Sequence, residues 1–201
     1  MAEPKPRKAT YQDVLDAPPH KVAEILNGEL HVFPRPAMRH QSAASALGAE
    51  LFLPFGRGRG GPGGWIIVDE PELHLGDDVL VPDLAGWRRE RLPLANMDDA
   101  FLTISPDWLC EVLSKSTEKI DRTKKLPIYA RAGVRHVWLL SAQLRTLEAF
   151  RLHEGNWLNV GIYNDDDRVR AEPFEAIELD LASLWADLPL RAGEAATEYA
   201  Y

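Results

Sequence analysis

Two carboxylates and a lysine occur where the sequence predicts two strand ends and the helix that follows. Asp83 stands in the segment Val-Leu-Val-Pro-Asp-Leu, Glu111 stands in the apolar segment Trp-Leu-Cys-Glu-Val-Leu, and Lys125 lies on the next predicted helix. Hydrolysis of a phosphodiester needs a nucleophile made from water and a charge that stabilises the phosphate. A hard cation such as Mg²⁺ or Mn²⁺ supplies both, and hard cations prefer carboxylate oxygens. The residues therefore predict metal-dependent phosphodiester cleavage.

Several neighbours could complete such a site. The backbone carbonyl of Val112 could add a metal ligand, and a lysine ammonium could steady the attacking water or the phosphate. Asp121 and Tyr129 each stand four residues from Lys125, so all three share one helix face. On that face the acid would hold the ammonium and the tyrosine could contact a phosphate. Lys124 points about 100° away on an ideal helix, so at most one of the two lysines faces the site.

A third acid and two simpler interpretations stay open at this point. Glu29, at a predicted hairpin turn, could supply another carboxylate to the metal. Asp83 follows a proline and could merely open a turn. Glu111 in an apolar strand could form an ion pair with Lys125 or Arg122, because an unpaired buried carboxylate costs free energy.

The elements that must position these residues form a mixed series of helices and strands. Asn27-Gly28 between apolar flanks predicts a β-hairpin, and apolar spacing predicts a helix over residues 38–55. The helix predicted over residues 117–132 contains Pro127, which should kink it. Short strands are predicted at residues 65–68, 72–75, 79–81, 84–87, 108–113, 135–140, 146–152 and 156–163. This order predicts an α/β fold, a mixed sheet flanked by helices, with a strand–helix–strand unit at residues 107–140.

The composition is that of an ordinary globular protein. A chain of 201 residues with 45% hydrophobic residues predicts one domain, with a core at about residues 20–185 and frayed termini, including the tail from Arg191. No apolar run approaches the roughly 20 residues that cross a bilayer, so we expect no membrane association. A single cysteine, Cys110, favours a reducing cytoplasm.

The net charge of −8 argues against broad contact with nucleic acid, because proteins that bind duplex usually show a basic surface. Basic residues nevertheless cluster at residues 5–8, 57–59, 88–91 and 119–125. A local basic face on an acidic protein is therefore compatible with the sequence.

Three motifs resemble the Uma family of endonuclease-like proteins, which belongs to the PD-(D/E)XK nuclease superfamily. They are Val-Pro-Asp83, Glu111-Val-Leu-Ser-x-Ser-Thr117 and Asp121-Arg-x-x-Lys125-x-x-x-Tyr129. The similarity runs from about residue 20 to about residue 185. It implies a restriction-endonuclease-like fold with an N-terminal hairpin and extra C-terminal strands, and an Mg²⁺-dependent endonuclease acting on DNA.

The resemblance also implies roles for single residues. Asp83 and Glu111 take the places of the motif aspartate and glutamate. The usual superfamily lysine would stand at Leu113, which cannot act, and Lys125 on the following helix takes its place. Glu29 resembles the acid of the first conserved segment. His40 fits the N-terminal part of the family, although a histidine there is more often a surface residue.

The sequence is also compatible with two other classes of function. A catalytically inactive module that binds nucleic acid or protein on the same fold would suit the acidic charge and the leucine at position 113. A small phosphoester hydrolase would suit the negative surface. A homodimer would let two sites cut two strands, and we expect its interface on the final strands, which should expose Phe150, Trp157 and Tyr163.

Overall fold

The structure, a computed structural model, describes residues 7–93 and 98–188. The predicted frayed tail from Arg191 and the first part of the basic cluster at residues 5–8 lie outside the described residues. In the described part of the chain, no helix combines the length and the apolar character needed to cross a bilayer.

The predicted hairpin forms from β1 (Lys21–Leu26) and β2 (Glu29–Pro34). Asn27 and Gly28 turn the chain with positive φ angles of 55° and 81°, a conformation that asparagine and glycine tolerate best. Two short strands, β4 (Leu73–Leu75) and β5 (Asp78–Leu80), extend this hairpin into a small sheet of order β2-β1-β5-β4. The small sheet brings the middle of β1 close to the end of β5.

A larger sheet has the order β10-β9-β8-β7-β6-β3. Its strands are β3 (Trp65–Asp69), β6 (Leu84–Arg88), β7 (Trp108–Val112), β8 (His136–Ser141), β9 (Thr146–His153) and β10 (Asn156–Asn164). Only β7 and β8 pair in parallel; the other neighbours in this sheet are antiparallel. The predicted mixed sheet and its strand–helix–strand unit are therefore confirmed. A separate pair, β11 (Arg168–Val169) and β12 (Leu179–Asp180), follows.

Helices cover one face of the larger sheet near its first strands. After the short α1 (Tyr11–Leu15), α2 (Met38–Leu51) buries Ala43, Leu47 and Leu51 and ends in a π-helical turn over Phe52–Gly56. The same core receives Leu184 and Trp185 from α5 (Ala182–Trp185). The i, i+4 spacing that predicts α2 is the spacing that buries it.

The helix that links β7 to β8 is not one continuous α-helix. It comprises α3 (Glu118–Ile120), a π-helical turn over Asp121–Lys125, and α4 (Leu126–Arg131). Pro127 stands at the start of α4, where its missing N–H costs least. The Leu126 N–H bonds the carbonyl of Asp121, one residue further back than in an α-helix. Such wide turns are frequent at functional sites, and this one buries both Asp121 and Lys125.

The predicted exposure of three aromatic side chains on the last strands is wrong, and the dimer itself stays a prediction. Phe150 and Trp157 pack partly buried against one core, and Tyr163 packs against the other. The Trp157 indole N–H also bonds the Leu126 carbonyl at 2.9 Å. The apolar side chains that β10 exposes are instead Leu158 and Ile162.

Candidate active site

Strand pairing brings the two predicted acids together. β6 runs antiparallel to β7, with Leu84 opposite Cys110, so Asp83 at the start of β6 meets Glu111 near the end of β7. Side chains alternate along a strand, and both acids lie on the sheet face that carries Leu109 and the helix of residues 118–131. The Val112 N–H donates a 2.7 Å hydrogen bond to Asp83 Oδ2. Asp83 is therefore fixed against the other strand, which a simple turn would not require.

The Lys125 ammonium sits among three carboxylates. Its Nζ lies 3.0 Å from Glu24 Oε1, 3.3 Å from Glu111 Oε1 and 3.5 Å from Asp121 Oδ1. All of these residues are buried. Lys125, and not Lys124, faces the site, and Asp121, four residues earlier, lies within ion-pair distance of the ammonium.

Glu24 is the site residue that sequence reasoning missed. It lies in the middle of β1, is 1% exposed, and accepts a 2.7 Å hydrogen bond from the Val81 N–H on Oε1. Its Oε2 is buried and has no hydrogen-bond partner among the described residues. The signal was present in the sequence, because Glu24 interrupts the apolar run Val-Ala-Glu-Ile-Leu as Glu111 interrupts its own strand.

Glu29, predicted as the third acid, does not belong to the site. Its side chain is 68% exposed and receives a 2.6 Å hydrogen bond from Lys124 Nζ. Glu29 begins β2, on the far side of the turn from Glu24. The prediction is wrong because the strand before the turn, not the strand after it, points its acid at the larger sheet.

Tyr129 has a different place from the predicted phosphate contact. Its side chain is fully buried and its hydroxyl donates to Glu111 Oε1 at 2.5 Å. The hydroxyl therefore fixes the orientation of the Glu111 carboxylate. Arg122, the alternative partner considered for Glu111, pairs with Glu118 and Glu148 instead.

His40 lies at the site and not on an open surface. From α2 its Nε2 approaches Asp83 Oδ2 to 3.3 Å, with a side chain that is 12% exposed. Burial lowers the pKa of His40, but the hydrogen bond and the charge of Asp83 outweigh burial and leave the pKa raised. His40 therefore favours its protonated form beside Asp83.

Burial and crowding decide the protonation of the central groups. Burial raises the pKa of Glu111 well above its ordinary value, although Lys125 pulls it down. Burial likewise raises the pKa of Asp121 to about 6. Burial lowers the pKa of Lys125, but its three carboxylate neighbours reverse that effect and leave the pKa well above its ordinary value. Lys125 therefore stays protonated, beside two carboxyl groups, Glu111 and Asp121, that ionise less readily than exposed ones.

These groups form the floor of a cavity of about 270 Å³. Its acidic lining residues are Glu24, Glu70, Asp83, Glu111 and Asp121. One wall carries the hydroxyls of Ser114, Ser116 and Thr117, joined by hydrogen bonds of 2.9 to 3.0 Å through Ser114 Oγ. The other wall is apolar and carries Phe33, Pro34 and Val81. The cavity thus joins acids, hydroxyls and an apolar surface in one partly open volume.

The donor set fits a hard divalent cation in part. Within residues 7–93 and 98–188, no three His, Cys, Asp or Glu side chains have the spacing of a closed metal site. Mg²⁺ commonly needs only one or two carboxylates besides water and substrate, which Asp83 and Glu111 could provide. Val112 lines the cavity while its side chain packs in the opposite core, so its backbone meets the same space. The unpartnered Glu24 Oε2 marks an excess of negative charge that a cation would offset.

Comparisons with known proteins agree with the resemblance and with the fold. The Uma2 family model, described as "Putative restriction endonuclease", matches residues 9–182. A crystal structure from Anabaena variabilis, described as "a putative nuclease belonging to DUF820", superposes with a TM-score of 0.72 at 20% sequence identity. The match covers 89% of this chain and 98% of that one, and it confirms the predicted nuclease-like fold. No protein with a curated description matches the sequence.

Proposed function

The chain belongs to the Uma2 family, and we propose that it is a metal-dependent endonuclease that hydrolyses phosphodiester bonds in DNA. One observation carries this proposal: Asp83 and Glu111 meet at adjoining strand ends, with the Lys125 ammonium 3.3 Å from Glu111, on the floor of one cavity. Burial of these charges costs free energy, and a catalytic role gives a reason for retaining them despite that cost. A cytoplasmic location, expected from the lone cysteine, completes the proposal.

Mg²⁺ or Mn²⁺ is the cofactor that we propose. Asp83 and Glu111 would hold it, with the backbone carbonyl of Val112 as a further ligand. When bound, a cation of this class lowers the pKa of water and offsets charge on the phosphate. The carboxylates that now surround Lys125 are the groups whose negative charge it would balance.

The protein's own residues position the reaction. Lys125 supplies a fixed positive charge for the phosphate, because three carboxylates keep it protonated. Tyr129 orients Glu111 through its hydroxyl, and His40 orients Asp83. In the hydrolysis, the water oxygen bonds to phosphorus and releases one proton to solvent, while the bond to the leaving oxygen breaks and that oxygen takes up one proton from solvent. Negative charge develops on the phosphate and on the leaving oxygen in the transition state. Electrostatic stabilisation of this charge is the main task of such a site.

The direct test is cleavage of plasmid and single-stranded DNA with Mg²⁺, with Mn²⁺ and with a chelator. Asp83→Asn and Glu111→Gln keep the shape of each side chain but remove its charge, so each should lower cleavage at least about 100-fold. Glu29→Gln is the matched control, because that acid is exposed and lies outside the site. Its cleavage should equal that of the parent protein.

Other outcomes would point elsewhere. Cleavage that survives in both variants would come from a contaminant. A parent protein that cuts no DNA with either metal, yet binds DNA in a salt-dependent way, would favour the inactive binding module. Hydrolysis of a small phosphodiester without cleavage of DNA would favour the phosphoester hydrolase.

A further inference from the structure

We propose that the face of β2 that carries His31 and Phe33 is a stacking track that leads one unpaired nucleic-acid strand into the acidic cavity. This inference rests on the proposed function and names its substrate: a single strand or a frayed end, in preference to an intact duplex.

The first argument is depth. Glu24, Glu111 and Lys125 are 1%, 3% and 6% exposed, at the floor of a cavity of about 270 Å³. A duplex carries its phosphates on the outside of a stiff, wide cylinder. A phosphate on such a cylinder has little freedom to reach groups this deeply buried, whereas one flexible strand can bend to present a single phosphodiester to them.

The second argument is the aromatic pair beside the cavity. Phe33 is half-buried and lines the apolar wall. His31, two residues earlier on the same face of β2, is also half-buried, and the two ring planes lie within 10° with centroids 6.1 Å apart. Parallel, partly open rings in a row are the platform on which successive bases of a single strand stack.

The third argument is the position of the cations. Lys124 Nζ lies 3.2 Å from His31 Nε2, and Arg35, 53% exposed, flanks Phe33 at the cavity wall. A cation thus stands at each end of the pair. Each cation now has a partly exposed carboxylate partner, Glu29 at 2.6 Å from Lys124 and Glu70 at 3.9 Å from Arg35, which a phosphate would replace. Backbone phosphates of a bound strand would meet these two cations while its bases meet the rings.

The same strand provides a matched control. Side chains alternate along β2, so Leu30 and Val32 lie on its opposite face, where they are 39% and 44% exposed. A general apolar affinity would involve these residues as much as Phe33. A stacking track would involve only His31 and Phe33.

The test is the anisotropy of a labelled oligothymidylate and of a labelled duplex of equal length, both without divalent metal so that nothing is cleaved. We expect the parent protein to prefer the single strand. Phe33→Leu, which keeps apolar volume but removes the ring, should weaken single-strand binding about tenfold, and His31→Ala should weaken it severalfold. Phe33→Trp should retain the affinity, and Val32→Ala should not change it. Thermal melts of all variants establish that each is folded.

Two results would overturn the inference: a parent protein that prefers duplex, or folded Phe33→Leu and His31→Ala variants with unchanged single-strand affinity. The inference and the proposed function fail separately. DNA cleavage that depends on Asp83 and Glu111, together with unchanged binding by Phe33→Leu, would refute the track and leave the nuclease. Ring-dependent binding without cleavage of any DNA would support the track and refute the nuclease.

Discussion

The Lys125 ammonium lies closer to Glu24, at 3.0 Å, than to Glu111, at 3.3 Å. Glu24 comes from the N-terminal hairpin, whereas Glu111 belongs to the larger sheet. Lys125 therefore links the two sheets through ion pairs that line the cavity. This contact makes the small sheet a part of the site and not an appendage to it.

The variants Glu24→Gln and Glu29→Gln compare the acid that the structure places in the site with the acid that the sequence predicted. Loss of the Glu24 charge removes one partner of Lys125 and loosens its position, so we expect DNA cleavage to fall about 10- to 100-fold. Glu29→Gln changes only an exposed pair with Lys124, and its cleavage should stay at the parent level. Initial cleavage rates of the two variants give the comparison, and equal rates would contradict the role of Glu24.

Lys125→Met should be far more harmful than Lys124→Met. Removal of the buried ammonium leaves Glu24, Glu111 and Asp121 without their cation, and uncompensated buried charge typically costs about 3–5 kcal/mol. Lys124 is partly exposed and pairs with an exposed acid, so its loss should cost less than about 1 kcal/mol. Urea unfolding of both variants at pH 7 measures the difference. A Lys125→Met protein as stable as Lys124→Met would show that the three acids do not depend on the lysine.

Asp121 should make the metal-free protein less stable as pH rises through the mildly acidic range. Its pKa is about 6 in the folded chain against an ordinary value of 3.8. Between these values the folded state keeps a proton that the unfolded state has released, so the free energy of unfolding falls with rising pH. The total loss is at most about 3 kcal/mol. It is absent below the ordinary value and complete above pH 6.

Asp121→Asn should remove this dependence. The variant should therefore gain stability over the parent protein above pH 6, and the gain should vanish near pH 4. Urea unfolding across this range in the presence of a chelator tests the expectation. A variant that is less stable than the parent at pH 7 would mean that the ionised Asp121 contributes net attraction to Lys125.

Tyr129→Phe should show how much the hydrogen bond from the Tyr129 hydroxyl to Glu111 contributes to stability. The substitution removes the shorter of the two hydrogen bonds to Glu111 Oε1 and leaves only the one from Lys125 Nζ at 3.3 Å, which should cost about 1–3 kcal/mol. Tyr11→Phe is the matched control, because Tyr11 also bonds a glutamate, Glu72, but near the surface. Thermal melts should show a clear loss for position 129 and little change for position 11; similar melting temperatures would contradict the positioning role.

Much of the architecture follows from local sequence patterns, and the structure contains the elements that these patterns predict. The Asn27-Gly28 turn needs positive φ, and the spacing of Ala43, Leu47 and Leu51 defines the buried side of α2. The strand–helix–strand unit follows from the order of apolar runs. Local chemistry is enough for these elements because each depends on neighbours within a few residues.

The helix after β7 shows where local patterns fail. Four-residue spacing predicts one face for Asp121, Lys125 and Tyr129, and all three are indeed buried. The π-helical turn at Asp121–Lys125 has no signal in that spacing. The single lysine that faces the acids also depends on tertiary packing, because Lys124 is drawn to Glu29 on the other sheet.

The sequence by itself determined that Asp83, Glu111 and one lysine of the following helix would come together, because the apolar segments around them predict a strand–helix–strand unit. Only the tertiary structure decided that Glu24, and not Glu29, completes the group. The two acids lie on either side of one hairpin turn, and local sequence does not say which strand of a hairpin faces a second sheet. That choice is made by burial of the apolar face shared by Glu24 and Leu26 against the larger sheet, a contact between segments far apart in the chain.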